Sequence, residues 1–154
     1  MKLKAIFLSI LPLVTALSAC SSGSSNSTIY PYQFVVDSGS SGSRVYVYSK
    51  VSTESGYVIT DLYEKKTSTP LASFANNPSN AGTSVTPLLE SAVQFLISES
   101  IPNLNLAKVP TSVLGTAGMR LISESSQAAI YRNVAESISI LGLMVCQTET
   151  LTNH

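Results

Sequence analysis

FVVDSGSSGSRVYVY, residues Phe34 to Tyr48, sets two apolar β-branched runs around a Ser/Gly loop with one Asp at its mouth. Val, Tyr and Phe dominate both runs, and Val45-Tyr46-Val47-Tyr48 alternates with the period of two expected of a strand. The pattern predicts strands over Tyr32–Asp37 and Arg44–Lys50, and the loop between them is short enough for an antiparallel hairpin. Ser55-Gly56 marks a further turn, and Tyr57–Lys65 reads as a third strand.

A loop rich in Asn, Pro and Ser follows, from Phe74 to Thr86. Thr86-Pro87 has the chemistry of a helix start, a capping hydroxyl before a proline at the first helical position. Leu88, Leu89, Ala92, Val93, Leu96 and Ile97 then recur at three-to-four spacing, which predicts a helix with one apolar face. Pro102 and Asn103 close that region. Ser112–Gly115 reads as a short buried strand, Gly115–Gly118 as a turn, and a second helix from about Ser123 carries Ile130, Tyr131, Val134, Ala135 and Ile138. Three strands, a helix, a strand and a helix make an α/β chain with a mixed sheet.

Ahead of the first strand, Lys2 and Lys4 precede the apolar run Ala5–Ala19, the layout of a secretory signal and too short for a spanning helix. The run closes on Leu17-Ser18-Ala19-Cys20, which resembles the bacterial lipobox and implies acylation of Cys20; plain secretion is the alternative. SSGSSNST, Ser21–Thr28, is a flexible tether. Ser21 after the Cys is similar to the default sorting signal for the outer membrane of Gram-negative cells. The expected organisation is a signal peptide over 1–19, a tether over 20–31 and one folded lobe over 32–154. With Cys20 acylated only Cys146 remains, so no intrachain disulfide is expected. His154 is the sole His and no metal-ligand spacing appears. A net charge of zero without a basic run argues against nucleic acid as a partner.

Three readings of the Asp loop follow from its residues. Two apolar residues before Asp-Ser-Gly-Ser are how aspartic peptidases present a catalytic carboxylate, and one copy per chain requires a homodimer whose two Asp share a proton. Ile140-Leu141-Gly142 even supplies an apolar pair plus Gly downstream. That reading demands an all-β chain, against the two helical patterns. A second reading is a phosphate-binding hairpin of the actin-like ATPase type. Successive amides of a Ser/Gly loop can converge on phosphate oxygens, glycines allow a close approach, and a carboxylate at the strand end can hold a divalent cation opposite. The third is a hairpin that merely turns.

VLGTAGMRLI, Val113 to Ile122, resembles the second signature of the apyrase family, the nucleoside tri- and diphosphate hydrolases of the CD39-like group. VVDSGSSGSRVYVY is similar to that family's first signature, and SFANNPSNAGTSVTPLLESA (Ser73–Ala92) to the linker between them. Exopolyphosphatases share a similar first loop, but Thr116-Ala117-Gly118-Met119-Arg120 favours apyrase. The resemblance implies the first lobe of an actin-like, ribonuclease-H-like fold. It further implies hydrolysis of terminal phosphates by in-line water attack, with Mg²⁺ or Ca²⁺ as cofactor.

By the same resemblance, Asp37 organises the cation through its water ligands, and Ser40, Ser41 and Gly42 cradle the terminal phosphate. Arg44 either reaches a phosphate or is a solvated strand residue; both readings stand. Thr116 orients the attacking water or a metal ligand, and the Ala117 amide donates to phosphate. Gly118 permits a tight path, Met119 is a core residue, and Arg120 makes a structural ion pair. The family's general base lies in a third signature that this sequence lacks. Thr148-Glu149-Thr150-Leu151 looks like the approach to it, with Glu149 too early to be the base. The chain is therefore expected to be one truncated lobe, weakly active or inactive alone, with a separately encoded second lobe as a candidate partner. The rival is a non-catalytic lipoprotein that binds phosphate or a partner chain.

Overall fold

The computed structural model describes residues 30–151; the expected signal peptide, Cys20 and nearly all of the tether lie outside the described residues. β1 (Tyr32–Gly39) and β2 (Gly42–Thr53) pair antiparallel with Asp37 opposite Arg44 and Gly39 opposite Gly42. Pairing thus continues to the glycines and leaves Ser40 and Ser41 alone as the loop, shorter than the sequence pattern suggests. β3 (Gly56–Thr67) pairs antiparallel with β2, with a bulge between Val47 and Tyr48.

Two short 3-10 turns, Leu71–Phe74 and Pro78–Asn80, lead into α1 (Gly82–Ser98). This corrects the expected start at Thr86-Pro87: Pro87 lies inside the helix. The cap that sets the true start is remote, because Asn133 Oδ1, 51 residues downstream in the next helix, accepts the Gly82 amide at 2.8 Å. Thr83 and Ser84 turn their hydroxyls back to the carbonyls of Asn80 and Ala81. Pro87, sixth in the helix, lies past the first four unpaired amides and so removes one intrahelical bond, the one to the Thr83 carbonyl.

β4 (Pro110–Gly115) lies parallel to β1 and is buried throughout. α2 (Glu124–Ile140) starts where the sequence predicts, with Ser123 Oγ accepting the Ser126 amide at 3.2 Å. β5 (Met144–Thr150) adds parallel to β4 and completes a five-stranded sheet in the order β3-β2-β1-β4-β5. The sequence pattern misses β5, since an edge strand reading Gln-Thr-Glu-Thr buries too little to show alternation.

Both helices cover one face of the sheet. Phe34, Val36, Val45, Val47 and Val113 meet Val85, Leu89, Leu96, Ile130, Val134 and Ile138, all fully buried. Burial of this kind contributes about 1.5–3 kcal/mol per large side chain. Ile97 leaves the expected apolar face of α1 and is exposed. The opposite face holds a smaller cluster of Val35, Tyr48 and Leu114. Cys146, on β5, is disulfide-bonded, which corrects the expectation that it has no bridge; its partner lies outside the described residues. Two long helices set aside the all-β peptidase reading.

Candidate functional site

The C-terminal ends of β1, β4 and β5 share one edge of the sheet, because the three strands are parallel. The Ser40–Ser41 turn and the Gly115–Gly118 turn therefore emerge side by side. Strand alternation sorts the residues of β1: Phe34, Val36 and Ser38 face the helices, and Val35 and Asp37 face away.

Ser38 and Ser43 build the base of the hairpin. Both are buried, their hydroxyls meet at 2.9 Å, and the Leu71 amide donates to Ser38 Oγ at 3.1 Å. Ser43 Oγ donates to the Thr69 carbonyl at 3.2 Å. The segment after β3 is thereby fastened under the loop. Sequence reasoning assigned these two serines no role, although the parity they share with Phe34, Val36, Val45 and Val47 marks them as inward. Ser40 and Ser41, by contrast, are exposed, and neither hydroxyl has a partner among the described residues. Gly42 sits at φ 144°, where a Cβ would overlap the Thr67 carbonyl oxygen. Only glycine lets the strand leave the turn this close to β3.

The second turn closes on the first. The Thr116 amide donates to the Ser38 carbonyl at 2.9 Å, and the Thr116 hydroxyl donates to the same oxygen at 3.2 Å. Gly118 lies beneath the hairpin, where an added Cβ would stand 3.2 Å from Ser40 Cα and 3.4 Å from the Gly39 carbonyl oxygen. Ala117 is exposed at the apex, and Met119 is buried in the core as expected. Arg120 is exposed and forms no ion pair among the described residues, which corrects the structural pair expected of it. It lines a cleft of about 580 Å³ between α2 and β5 with Glu124, Arg132 and Glu149.

Asp37 is half-buried between Arg44 and Leu114, and its Oδ1 is buried without a hydrogen-bond partner. Burial raises its pKa above the ordinary carboxylate value, and the positive charge of Arg44 only partly opposes this. Arg44 donates to Tyr46 Oη at 3.2 Å and pairs with the exposed Glu64 at 3.6 Å. Its hydrogen bonds thus run along the strand face and not toward the turn. At the far side of the edge, Tyr131 Oη lies 3.0 Å from Thr150 Oγ1, which donates to Gln127 Oε1 at 2.6 Å. Glu149 is exposed and accepts from Gln147.

This arrangement offers outward hydroxyls, two turns of backbone amides and one unpaired carboxylate, a donor set for an anion with a hydrated cation beside it. The family model for GDA1/CD39 (nucleoside phosphatase) matches residues 23–150. A guanosine-diphosphatase of Schizosaccharomyces pombe is 33% identical over 120 residues, 77% of this chain and 21% of that protein. A nucleoside-triphosphatase of Pisum sativum is 34% identical over 77 residues, 50% of this chain and 16% of that one. The chain thus spans about a fifth of the length of these relatives. Among solved structures, a nucleoside triphosphate hydrolase from Neospora caninum superposes with a TM-score of 0.57 at 16% identity, over 78% of this chain and 29% of that one. That likeness bears on the fold, which is the actin-like ATPase lobe with a mixed sheet.

Proposed function

Because this chain belongs to the GDA1/CD39 (nucleoside phosphatase) family, we propose that its Ser40–Ser41 turn holds the terminal phosphate of a nucleoside tri- or diphosphate for hydrolysis by water. The observation that carries this reading is the packing of the two turns, Gly118 under Ser40 and Thr116 on Ser38, which places both signature loops at one edge. The amides of Ser41 and Ala117 and the free hydroxyls of Ser40 and Ser41 donate to phosphoryl oxygens, while the Gly42 amide closes the ladder on Gly39 and holds the turn. Charge that develops on those oxygens is best stabilised by donors already held in place, and the buried serines beneath hold them.

Thr116 has a defined polarity in this scheme. Its hydroxyl proton is committed to the Ser38 carbonyl, so toward ligand it can only accept. It orients the attacking water by accepting one of its protons. Asp37 supplies the acceptor for a hydrated cation. An unpaired buried carboxylate oxygen fits that role, and no group of three or more His, Cys, Asp or Glu among the described residues could hold a metal ion directly. Mg²⁺ or Ca²⁺ bound there would supply positive charge to the phosphoryl oxygens. Arg44 acts at one remove, moderating the charge of Asp37.

The general base is assigned to the part of the relatives that this chain does not span, in the same or a separate polypeptide. Residues 1–154 tested without that part should hydrolyse slowly, since a general base contributes ~10²–10⁴-fold. Residues 1–19 act as an export signal, and acylation of Cys20, in place of a bridge to Cys146, anchors the lobe at the outer membrane of a Gram-negative cell; mass spectrometry of the mature N-terminus tells the acylated chain from the bridged one. Phosphate release from ATP and ADP, with and without Mg²⁺ or Ca²⁺ and beside an Asp37→Ala variant, tests the activity. Release that depends on the cation and is lost in the variant supports the reading, and release indifferent to Asp37 opposes it.

A further inference from the structure

The edge of the sheet opposite the Ser40–Ser41 turn carries most of the exposed apolar surface. β2 and β3 run past the start of β1, whose Tyr32 pairs with Ser49, so residues 50–59 form a free two-stranded arm. Val51 and Val58 pair across one face of the arm at 59% and 53% exposure, and Tyr57 and Ile59 lie on the other. The C-terminal ends of α1 and α2 bring Ile97 and Ile140 to the same edge, both exposed. Of the large apolar side chains exposed among the described residues, Leu121 alone sits at the loop edge.

We propose that this edge rests on a lipid bilayer, with the arm in the headgroup layer and the Ser40–Ser41 turn facing away. Each face of the arm exposes apolar side chains. A flat protein partner would cover one face, whereas immersion at an interface covers both. The chain outside the described residues argues for the same occupant. Cys20, the proposed lipid anchor, connects through residues 21–30 to Pro31, whose carbonyl accepts the Lys50 amide at 2.9 Å at the root of the arm. Any hold of that anchor on a bilayer therefore delivers the arm to the surface.

Polar residues set the depth. Glu54, in the turn of the arm, is costly in hydrocarbon and keeps the contact shallow. Lys50, with its ammonium 4.1 Å from the centre of the Tyr57 ring, joins a cation to an amphipathic ring, a pair suited to the headgroup level. No described helix is long and apolar enough to cross a membrane. β1 spans ~25 Å, so the phosphate turn stands one strand length off the surface. The sequence expects membrane contact through an N-terminal lipid only; this surface is additional to it and independent of the nucleotide reading.

The chain has no Trp, so Val58→Trp introduces a single reporter at an exposed position. Leu121→Trp is its counterpart at the other edge. With phosphatidylcholine vesicles whose acyl chains are brominated near the headgroup, Val58→Trp should shift to shorter wavelength and be quenched about twofold, while Leu121→Trp should not change. In a Cys20→Ser background, Val51→Glu with Val58→Glu should lower the vesicle-bound fraction several-fold. Quenching of Val58→Trp no greater than that of Leu121→Trp would overturn the proposal. So would a blue shift without vesicles that grows with protein concentration, which would assign the arm to a second copy of this chain.

Discussion

Thr116 and Ser38, 78 residues apart, are joined twice: the amide and the hydroxyl of Thr116 both donate to the Ser38 carbonyl, at 2.9 and 3.2 Å. One strand end therefore carries both turns of the candidate site. Ser38 also holds Leu71 through its hydroxyl, so a single residue ties three segments together.

Replacing Ser38 by Ala tests that junction. It leaves the Leu71 amide and the Ser43 hydroxyl without their buried partner, which should cost about 1–3 kcal/mol. Urea unfolding should show the loss as a lower midpoint with an unchanged slope.

Gly118→Val should act on the site more than on the fold. Even the Cβ would stand 3.2 Å from Ser40 Cα, and the branches of Val must push the hairpin tip away from the second turn. Nucleotide affinity should fall about tenfold if one of the phosphate's hydrogen bonds is lost, with unfolding little affected. Isothermal titration with ADP and Mg²⁺ checks this.

Gly42→Ala should be the more damaging glycine change. Its φ of 144° and the overlap with the Thr67 carbonyl both count against a side chain. A loss of about 2–4 kcal/mol is expected, read from thermal unfolding.

Asp37→Asn separates stability from binding. Burial raises the Asp37 pKa, so the fold binds this proton more tightly than the unfolded chain does. Stability from this group is present below the unfolded value and is lost as pH rises through the folded one. At pH 7 the ionised carboxylate is therefore a cost, and Asn should raise Tm by about 2–4 °C while abolishing cation-dependent binding. The gap in Tm should close as pH falls and Asp37 takes up its proton. A scan of Tm against pH without divalent cations measures both.

The hairpin, the third strand, the buried β4 and the second helix were legible because each has a strong local signal. Tyr46 and Tyr48 alternate with Val45 and Val47, and Ser123 caps the helix it precedes. What stayed hidden depends on distant partners. The start of α1 is set by Asn133, the inward serines are satisfied by Thr69 and Leu71, and β5 pairs as a polar edge that alternation cannot show. The site shows the same division. Ser40, Ser41 and Ala117 could be named from the resemblance and stand exposed on the two turns, but the unpaired state of Asp37 Oδ1 and the donor polarity of Thr116 needed the folded chain.

The most direct measurement of the central claim is the amide chemical-shift map of this chain during titration with ADP and Mg²⁺, repeated in Asp37→Ala. Shifts concentrated at Ser40, Ser41, Gly42 and Ala117, dependent on the cation and absent in the variant, are expected. Shifts centred on the cleft between α2 and β5, or shifts at the hairpin that survive the loss of Asp37, would contradict it.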